Sequence, residues 1–274
     1  GAFSVGGTDA SACAATASPS ASPSRAPTWD IVDCDVVLTD ADKASHAGYI
    51  TNVIEVDTQA DLDALEAHVA HCGAATEDVG GGWRIVGGGL YIHNSDDIVN
   101  LEALRNLRAI DGKTNYGYSL SLRQNTNLAS LAGLRNLRGV LPGALDIVEN
   151  GALASLDGLE GVTRIDGRTN EGSGGTSLYI HLNDKLESIA GLRGLTGALP
   201  GDLYVSYNGP LTSLSGLAGV TEVNGNLYIA HQGKLCLSEN DRARLLAIVG
   251  GSSDVLEALG VCIELPIAES AALL

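Results

Sequence analysis

The chain has 274 residues, including 35 glycines, no methionine and only 4% aromatic side chains. Acidic residues outnumber basic ones 33 to 16, for a net charge of −17, and a field of that sign repels phosphate backbones, which excludes a nucleic-acid partner. Hydrophobic residues at 45% with charged residues at 18% describe a folded body rather than an acidic disordered tail, and no run of 18 apolar residues offers a membrane-spanning helix.

Residues 1–29 read as a flexible tail. The stretch Ser18-Pro19-Ser20-Ala21-Ser22-Pro23-Ser24-Arg25-Ala26-Pro27 alternates small residues with proline and has little to bury. With glycine at position 1, a processed or cut end is expected. Residues 30–89 read as an N-terminal cap with one helix. Val53-Ile54-Glu55-Val56 is a short strand, and Thr58-Gln59-Ala60-Asp61 is a capping box with Asp in the usual Glu position. Leu62, Leu65, Ala67 and Val69 then give an amphipathic helix that ends near Cys72-Gly73.

Residues 90–237 are an array of repeats. Six strands begin with Leu-x-aliphatic at Leu90, Leu120, Leu145, Leu178, Leu203 and Leu227, with starts 30, 25, 33, 25 and 24 residues apart. The two longest repeats carry matching inserts, Ile110-Asp111-Gly112-Lys113-Thr114-Asn115 and Ile165-Asp166-Gly167-Arg168-Thr169-Asn170, while the intervening ones share Leu-Pro-Gly at Leu141 and Leu199. A two-repeat unit has therefore been duplicated. The composite is Leu-x-Ile-x-x-Asn-x-x-Leu-x-Ser-Leu-x-Gly-Leu-x-x-Leu-x-x-Ile-x-Gly, whose alternate strand residues point inward. Asn125, Asn150, Asn183 and Asn208 form a structural column, with Ser95 and Gln232 at its ends, suited to bonding backbone freed by a turn. Gly133, Gly158, Gly191 and Gly216 allow a tight corner where a side chain would obstruct. No repeat can bury its leucines alone, so the repeats must stack, to roughly 25–30 Å for six coils. Residues 238–265 read as a helical C-terminal cap, from Arg242 to Val249 and Asp254 to Leu259, and 266–274 as a tail.

This pattern, from about Val53 to Cys262, resembles the receptor L-domain family, which is related to leucine-rich repeats. The resemblance implies a mainly β fold: a right-handed parallel β-solenoid of about six coils of 24–33 residues with short helical caps at both ends. It implies an extracellular, secreted or cell-surface location and a binding or structural role. A plain leucine-rich horseshoe fits less well, because Leu128, Leu153, Leu186 and Leu211 follow the Asn column by three residues rather than two.

The five cysteines lie in the tail and the caps. Pairing Cys34 with Cys72 and Cys236 with Cys262 would clip each cap, each closure stabilising by about 3–4 kcal/mol. Cys13 is left for an intermolecular bond or a free thiol. The alternative is five reduced thiols in a cytosolic protein, and the absence of an Asn-x-Ser/Thr sequon weighs on that side.

The outward strand column runs Tyr91, Ser121, Asp146, Tyr179, Tyr204, Tyr228, and two residues on lie His93, Arg123, Val148, His181, Ser206 and Ala230. Tyrosines flanked by His and Arg compose a flat strip suited to a protein contact or to sugar rings. The alternative is a β-favouring ladder of stacked neighbours. His68 and His71 share a helix face without a third ligand, and Asp30, Asp33, Asp35, Asp40 and Asp42 match no calcium loop, so no metal or cofactor is expected. No nucleophile elbow or metalloprotease helix occurs, and the expectation is a protein without catalytic activity. Its partners are other proteins, copies of itself among them, or surface glycans. The favoured reading is a structural, protein-binding subunit of a surface assembly. A receptor-like ligand- or glycan-binding module comes second, and a polysaccharide-active β-helix enzyme or an ice-binding surface last, the latter disfavoured because the outward column holds no Thr.

Overall fold

A computed structural model describes residues 29–32, 35–38, 53–70, 81–170, 175–230 and 232–249. In chain order the strands are β1 (Trp29–Val32), β2 (Asp35–Leu38), β3 (Val53–Val56), β4 (Trp83–Val86), β5 (Gly89–His93), β6 (Leu107–Asp111), β7 (Tyr118–Arg123), β8 (Gly139–Leu141), β9 (Ala144–Val148), β10 (Val162–Ile165), β11 (Thr176–His181), β12 (Gly197–Leu199), β13 (Asp202–Ser206), β14 (Val220–Val223) and β15 (Leu227–Ala230). Two helices, α1 (Gln59–Val69) and α2 (Glu239–Ala247), flank the repeats in sequence. The fold is mainly β.

One long parallel sheet of seven strands dominates, ordered β15-β13-β11-β9-β7-β5-β3. Every repeat contributes one strand to it, and the Leu-x-aliphatic positions fall into strict register, Leu90 beside Leu120, Leu145, Leu178, Leu203 and Leu227 in turn. All six are at most 1% exposed, as are the aliphatic residues two positions later. Each buried side chain of this size contributes about 1.5–3 kcal/mol relative to exposure. The remaining strands are short and form three smaller sheets. β1, β2, β4 and β6 form one sheet, in which β1 and β2 are antiparallel, and β8 pairs with β10 and β12 with β14. Single backbone bonds, Arg138 N–H to Arg108 (2.9 Å) and Thr196 N–H to Thr163 (2.9 Å), link the pieces. Short 3₁₀ turns at Glu102–Leu104, Ala132–Leu134, Ala190–Leu192 and Ser215–Leu217 each follow a strand of the long sheet and precede a strand of a smaller one.

The Asn column is a continuous buried ladder. Asn183 Oδ1 accepts from Asn150 N–H (3.0 Å), and its Nδ2 donates to Ile147 O (3.0 Å), to His181 O (3.1 Å) and to Asn208 Oδ1 (3.1 Å). Asn125, Asn150 and Asn208 repeat the bond to a carbonyl of the preceding strand, those of Ile92, Leu122 and Ile180. Directly before each amide the chain turns left-handed at a residue other than glycine: Gln124, Glu149, Leu182 and Tyr207, with φ of 54–56°. Asn94 (φ 52°) precedes Ser95 in the same way. Such a backbone costs about 1–2 kcal/mol per residue, and the amide that bridges it holds it in place.

The glycine column has a different cause at most positions. Only Gly158 of the four has positive φ, 115°. A Cβ on Gly133, Gly158, Gly191 or Gly216 would collide with the carbonyl of Leu101, Leu131, Leu156 or Ile189 in the preceding repeat. The obstacle is the stacked backbone itself.

The capping box on α1 forms as the sequence reading expects, with Thr58 Oγ1 accepting from Asp61 N–H (3.1 Å) and Asp61 Oδ2 accepting from Thr58 N–H (3.1 Å). Leu62, Leu65 and Val69 are buried. The helix ends at Val69, ahead of the expected Cys72-Gly73. Helix α2 starts at the N-cap Ser238, whose hydroxyl accepts from Asp241 N–H at 3.1 Å. The second C-terminal helix, the tails, Cys13, Cys34, Cys72, Cys262 and His71 lie outside the described residues. Cys236 is disulfide-bonded.

Replacing Asn183 by Ala strips partners from buried backbone groups of two neighbouring repeats and should cost at least about 2 kcal/mol. Urea denaturation measures it against Asn224→Ala, an exposed position expected to stay within about 0.5 kcal/mol of the parent.

Candidate functional site

The long parallel sheet carries the expected outward columns in register. Glu55, Tyr91, Ser121, Asp146, Tyr179, Tyr204 and Tyr228 stand side by side across seven strands. His93, Arg123, Val148, His181, Ser206 and Ala230 form the second column. Two members of the expected outer-face column are not open to a partner. Ser121 and Asp146 are fully buried.

Asp146 lies beneath Arg123 and takes three bonds, from Arg123 Nε (2.5 Å), Arg123 Nη2 (2.9 Å) and Ser121 Oγ (2.7 Å). Arg123 Nη2 also donates to the Tyr118 hydroxyl at 2.9 Å, and the guanidinium carbon sits 5.2 Å from the Tyr118 ring centroid. Burial opposes the charge on Arg123, but the neighbouring Asp146 carboxylate outweighs it and holds the guanidinium protonated above its ordinary range. Tyr118 escapes the alternation because a bulge between Tyr118 and Leu120 puts Ser119 out of register.

Two aromatic groups flank this centre. On one side Tyr91 stacks on His93, centroids 4.2 Å apart at 11°. His93 is pinned between the Asn94 amide, which donates to Nδ1 (2.8 Å), and Glu55 Oε1, which accepts from Nε2 (2.7 Å). Burial raises the Tyr91 pKa, so its phenol stays neutral.

On the other side lies a five-ring cluster. Tyr179 stacks on His181 (5.3 Å, 15°), Tyr204 meets Tyr179 edge-on (4.7 Å, 65°), and Tyr228 stacks on Tyr204 (4.2 Å, 10°). Tyr207 reaches His181 at 5.4 Å and 87°. Tyr207 is a residue that strand alternation misses. It belongs to the left-handed turn after β13, at φ 54°, and is 43% exposed. Burial raises the Tyr179 pKa, with Tyr204 and Asp146 adding to the rise. Burial lowers the His181 pKa, partly opposed by its bond to Ser206 Oγ (2.7 Å) and by Glu149.

Among the described residues no three His, Cys, Asp or Glu side chains are placed to hold a metal ion, and no helix is long and apolar enough to cross a membrane. Residues 82–158 match the family model of the Receptor L domain. That stretch is receptor L-domain-like. Receptor L domains are ligand-binding modules of extracellular receptors. The L-domain-like match covers Tyr91, His93, Ser121, Arg123 and Asp146, whereas the five-ring cluster lies beyond it. No curated protein and no solved structure matches the chain.

Arg123→Met leaves the Asp146 carboxylate buried without its cation and should cost about 3–4 kcal/mol. Arg123→Met with Asp146→Leu should recover most of that loss in the same denaturation measurement.

His181 adds a pH dependence. Its folded pKa lies below the unfolded value of about 6.5, so the unfolded state binds more protons as the pH falls through that value. Stability is full above this range and declines between pH 7.5 and 5.5. Denaturation midpoints at the two pH values should differ less in His181→Gln than in the parent.

Proposed function

We propose that the chain is a non-catalytic extracellular or cell-surface protein whose long parallel sheet binds other proteins, as a subunit of a surface assembly. In this reading the repeats wind as a right-handed solenoid of six coils, and the caps protect its ends. The observation that carries the proposal is the cluster of Tyr179, His181, Tyr204, Tyr207 and Tyr228 on one face. A bulky aromatic at φ 54° is a costly way to make a turn, and here it enlarges an aromatic surface. Interfaces concentrate Tyr and Arg in this way.

Ring geometry favours a protein over a sugar. Tyr204 and Tyr228 occupy adjacent strands and stack at 4.2 Å, so their faces are turned toward each other along the sheet. Tyr179 has His181 against one face. A pyranose needs an open ring face, and these contacts occupy such faces. A polysaccharide-cleaving site needs paired carboxylates with freedom to exchange protons. Asp146, the carboxylate at the centre of the outward column, is buried in a bidentate pair instead.

The receptor-like alternative, a ligand-binding module working by itself, is favoured by the family match. Mass photometry of material from the natural source, with and without reductant, separates the two. Large particles support the subunit reading, and collapse under reductant assigns their cross-links to disulfides. A single-chain species supports the module. In either case Tyr179→Ala with Tyr204→Ala should weaken association at least tenfold without loss of the folded state by circular dichroism. Unchanged association would sink the tyrosine face.

A further inference from the structure

Tyr204 and Tyr228 hold equivalent places on the adjacent strands β13 and β15, paired residue for residue. Parallel strands in register send equivalent side chains the same way, so the two phenols extend side by side from the same face. Their ring centroids are 4.2 Å apart and their planes differ by 10°. That separation is close to the distance between ring centres in a biaryl joined by one carbon–carbon bond. Turning each ring about its long axis brings the carbons ortho to the hydroxyls edge to edge without moving the ring centres apart. The tyrosine ring torsion is broad enough to allow the turn.

Among the described residues no other two tyrosines stack face to face. Tyr91 has Ser121 beside it on β7 and stacks on His93. Tyr118 is buried, and its hydroxyl accepts from Arg123. Tyr179 meets Tyr204 edge-on at 65° and has His181 against its own face. Tyr207 approaches the His181 ring. Tyr204 and Tyr228 are half-buried, so the pair is within reach of an oxidant in solution.

The position matters for the fold as well. β15 ends the strand order of the long sheet, with β13 as its neighbour there. Terminal strands open first, and a bond between Tyr204 and Tyr228 would fasten β15 to β13.

We propose that Tyr204 and Tyr228 are a site of oxidative coupling, at which hydrogen peroxide acting through a peroxidase joins the two side chains as dityrosine within one chain. Each phenol gives up one electron and one proton, and the two phenoxyl radicals form one carbon–carbon bond between ortho carbons. The hydrogens on those carbons move to the oxygens, which restores both phenols. The peroxide takes up the two electrons and two protons and leaves as two waters. The strand register holds the rings together, so coupling within the chain outruns encounter between chains. The proposal does not depend on this face binding a partner.

The test treats the dilute full chain with horseradish peroxidase and hydrogen peroxide and follows the blue fluorescence of dityrosine. Digestion after Glu222 should leave the peptides that carry Tyr204 and Tyr228 joined, their combined mass lower by two hydrogens. Tyr204→Phe and Tyr228→Phe keep a stacked ring at each place and should each cut the fluorescence yield about tenfold. Tyr91→Phe and Tyr207→Phe should leave the yield unchanged. Circular dichroism of each variant before treatment checks that the fold is retained. Dityrosine that joins separate chains, joined peptides that lack Tyr204 or Tyr228, or an undiminished yield in Tyr228→Phe would overturn the proposal.

Discussion

Repeats of this chain meet backbone to backbone, and everything on the sheet surface depends on that contact. The carbonyls of Leu101, Leu131, Leu156 and Ile189 lie where a side chain on the next repeat's Gly133, Gly158, Gly191 or Gly216 would have to be. Such proximity leaves turn backbone buried without water, and the carboxamide ladder supplies its bonds. Each amide takes a carbonyl of the preceding repeat and hands its own oxygen to that repeat's N–H. The ladder closes imperfectly only where the pattern stops. Asn125 Oδ1, facing the end where Ser95 replaces Asn, and Gln232 Nε2 at the other end are buried without a partner. A ladder of this kind tolerates side chains other than glycine in the left-handed turns, which frees those positions for Glu149 and Tyr207.

The alternation of long and short repeats follows from the same close stacking. In the long repeats the bulged Ser119 and Ser177 each donate to an insert carbonyl, Gly112 O at 2.6 Å and Gly167 O at 2.7 Å. Each then accepts from the N–H of a Pro-Gly glycine in the next repeat, Gly143 at 2.7 Å and Gly201 at 2.8 Å. The carbonyl oxygens of Gly117 and Gly175, with the Cβ carbons of Lys113 and Arg168, occupy the space that a Cβ on those glycines would need. An insert in one repeat therefore requires glycine in the following one, and the duplicated unit is two repeats long because neither half is complete. The two inserts also touch each other, Asn170 N–H and Nδ2 donating to Tyr116 O (2.8 Å) and Asn115 O (2.6 Å).

What was legible in the sequence is what one repeat shares with its neighbour at fixed spacing. The Leu-x-aliphatic strands, the Asn column and the capping box on α1 are of that kind, because each depends on residues close in sequence or on the register common to all repeats. The short strands of the smaller sheets are not legible. They run three to five residues with half-buried patterns such as Val220–Val223, and their signal, an aliphatic pair three apart, is too brief to separate from a turn. The burial of Asp146 was missed for another reason. It depends on Arg123, which lies 23 residues earlier and reaches it only across adjacent strands. Tyr118 and Tyr207 join the face through a bulge and a left-handed turn, and both break the two-residue alternation on which the column was built.

The division of the sheet face follows from where charge can be afforded a partner. At the centre of a seven-stranded sheet a carboxylate is flanked by strands on both sides, and Asp146 is stable there only with Arg123 and Ser121 bonded to it. Glu149, three residues later on the same chain segment, has already left the sheet and keeps its hydration. The first acid fastens two strands together, and the second, at the surface, accepts from the Gln124 amide of the neighbouring turn. Stacking that packs the repeats too tightly for side chains at their glycine corners thus leaves the turn after each strand as the place where sequence is free to vary. Gln124, Glu149, Leu182 and Tyr207 share one backbone conformation there and carry four different chemistries.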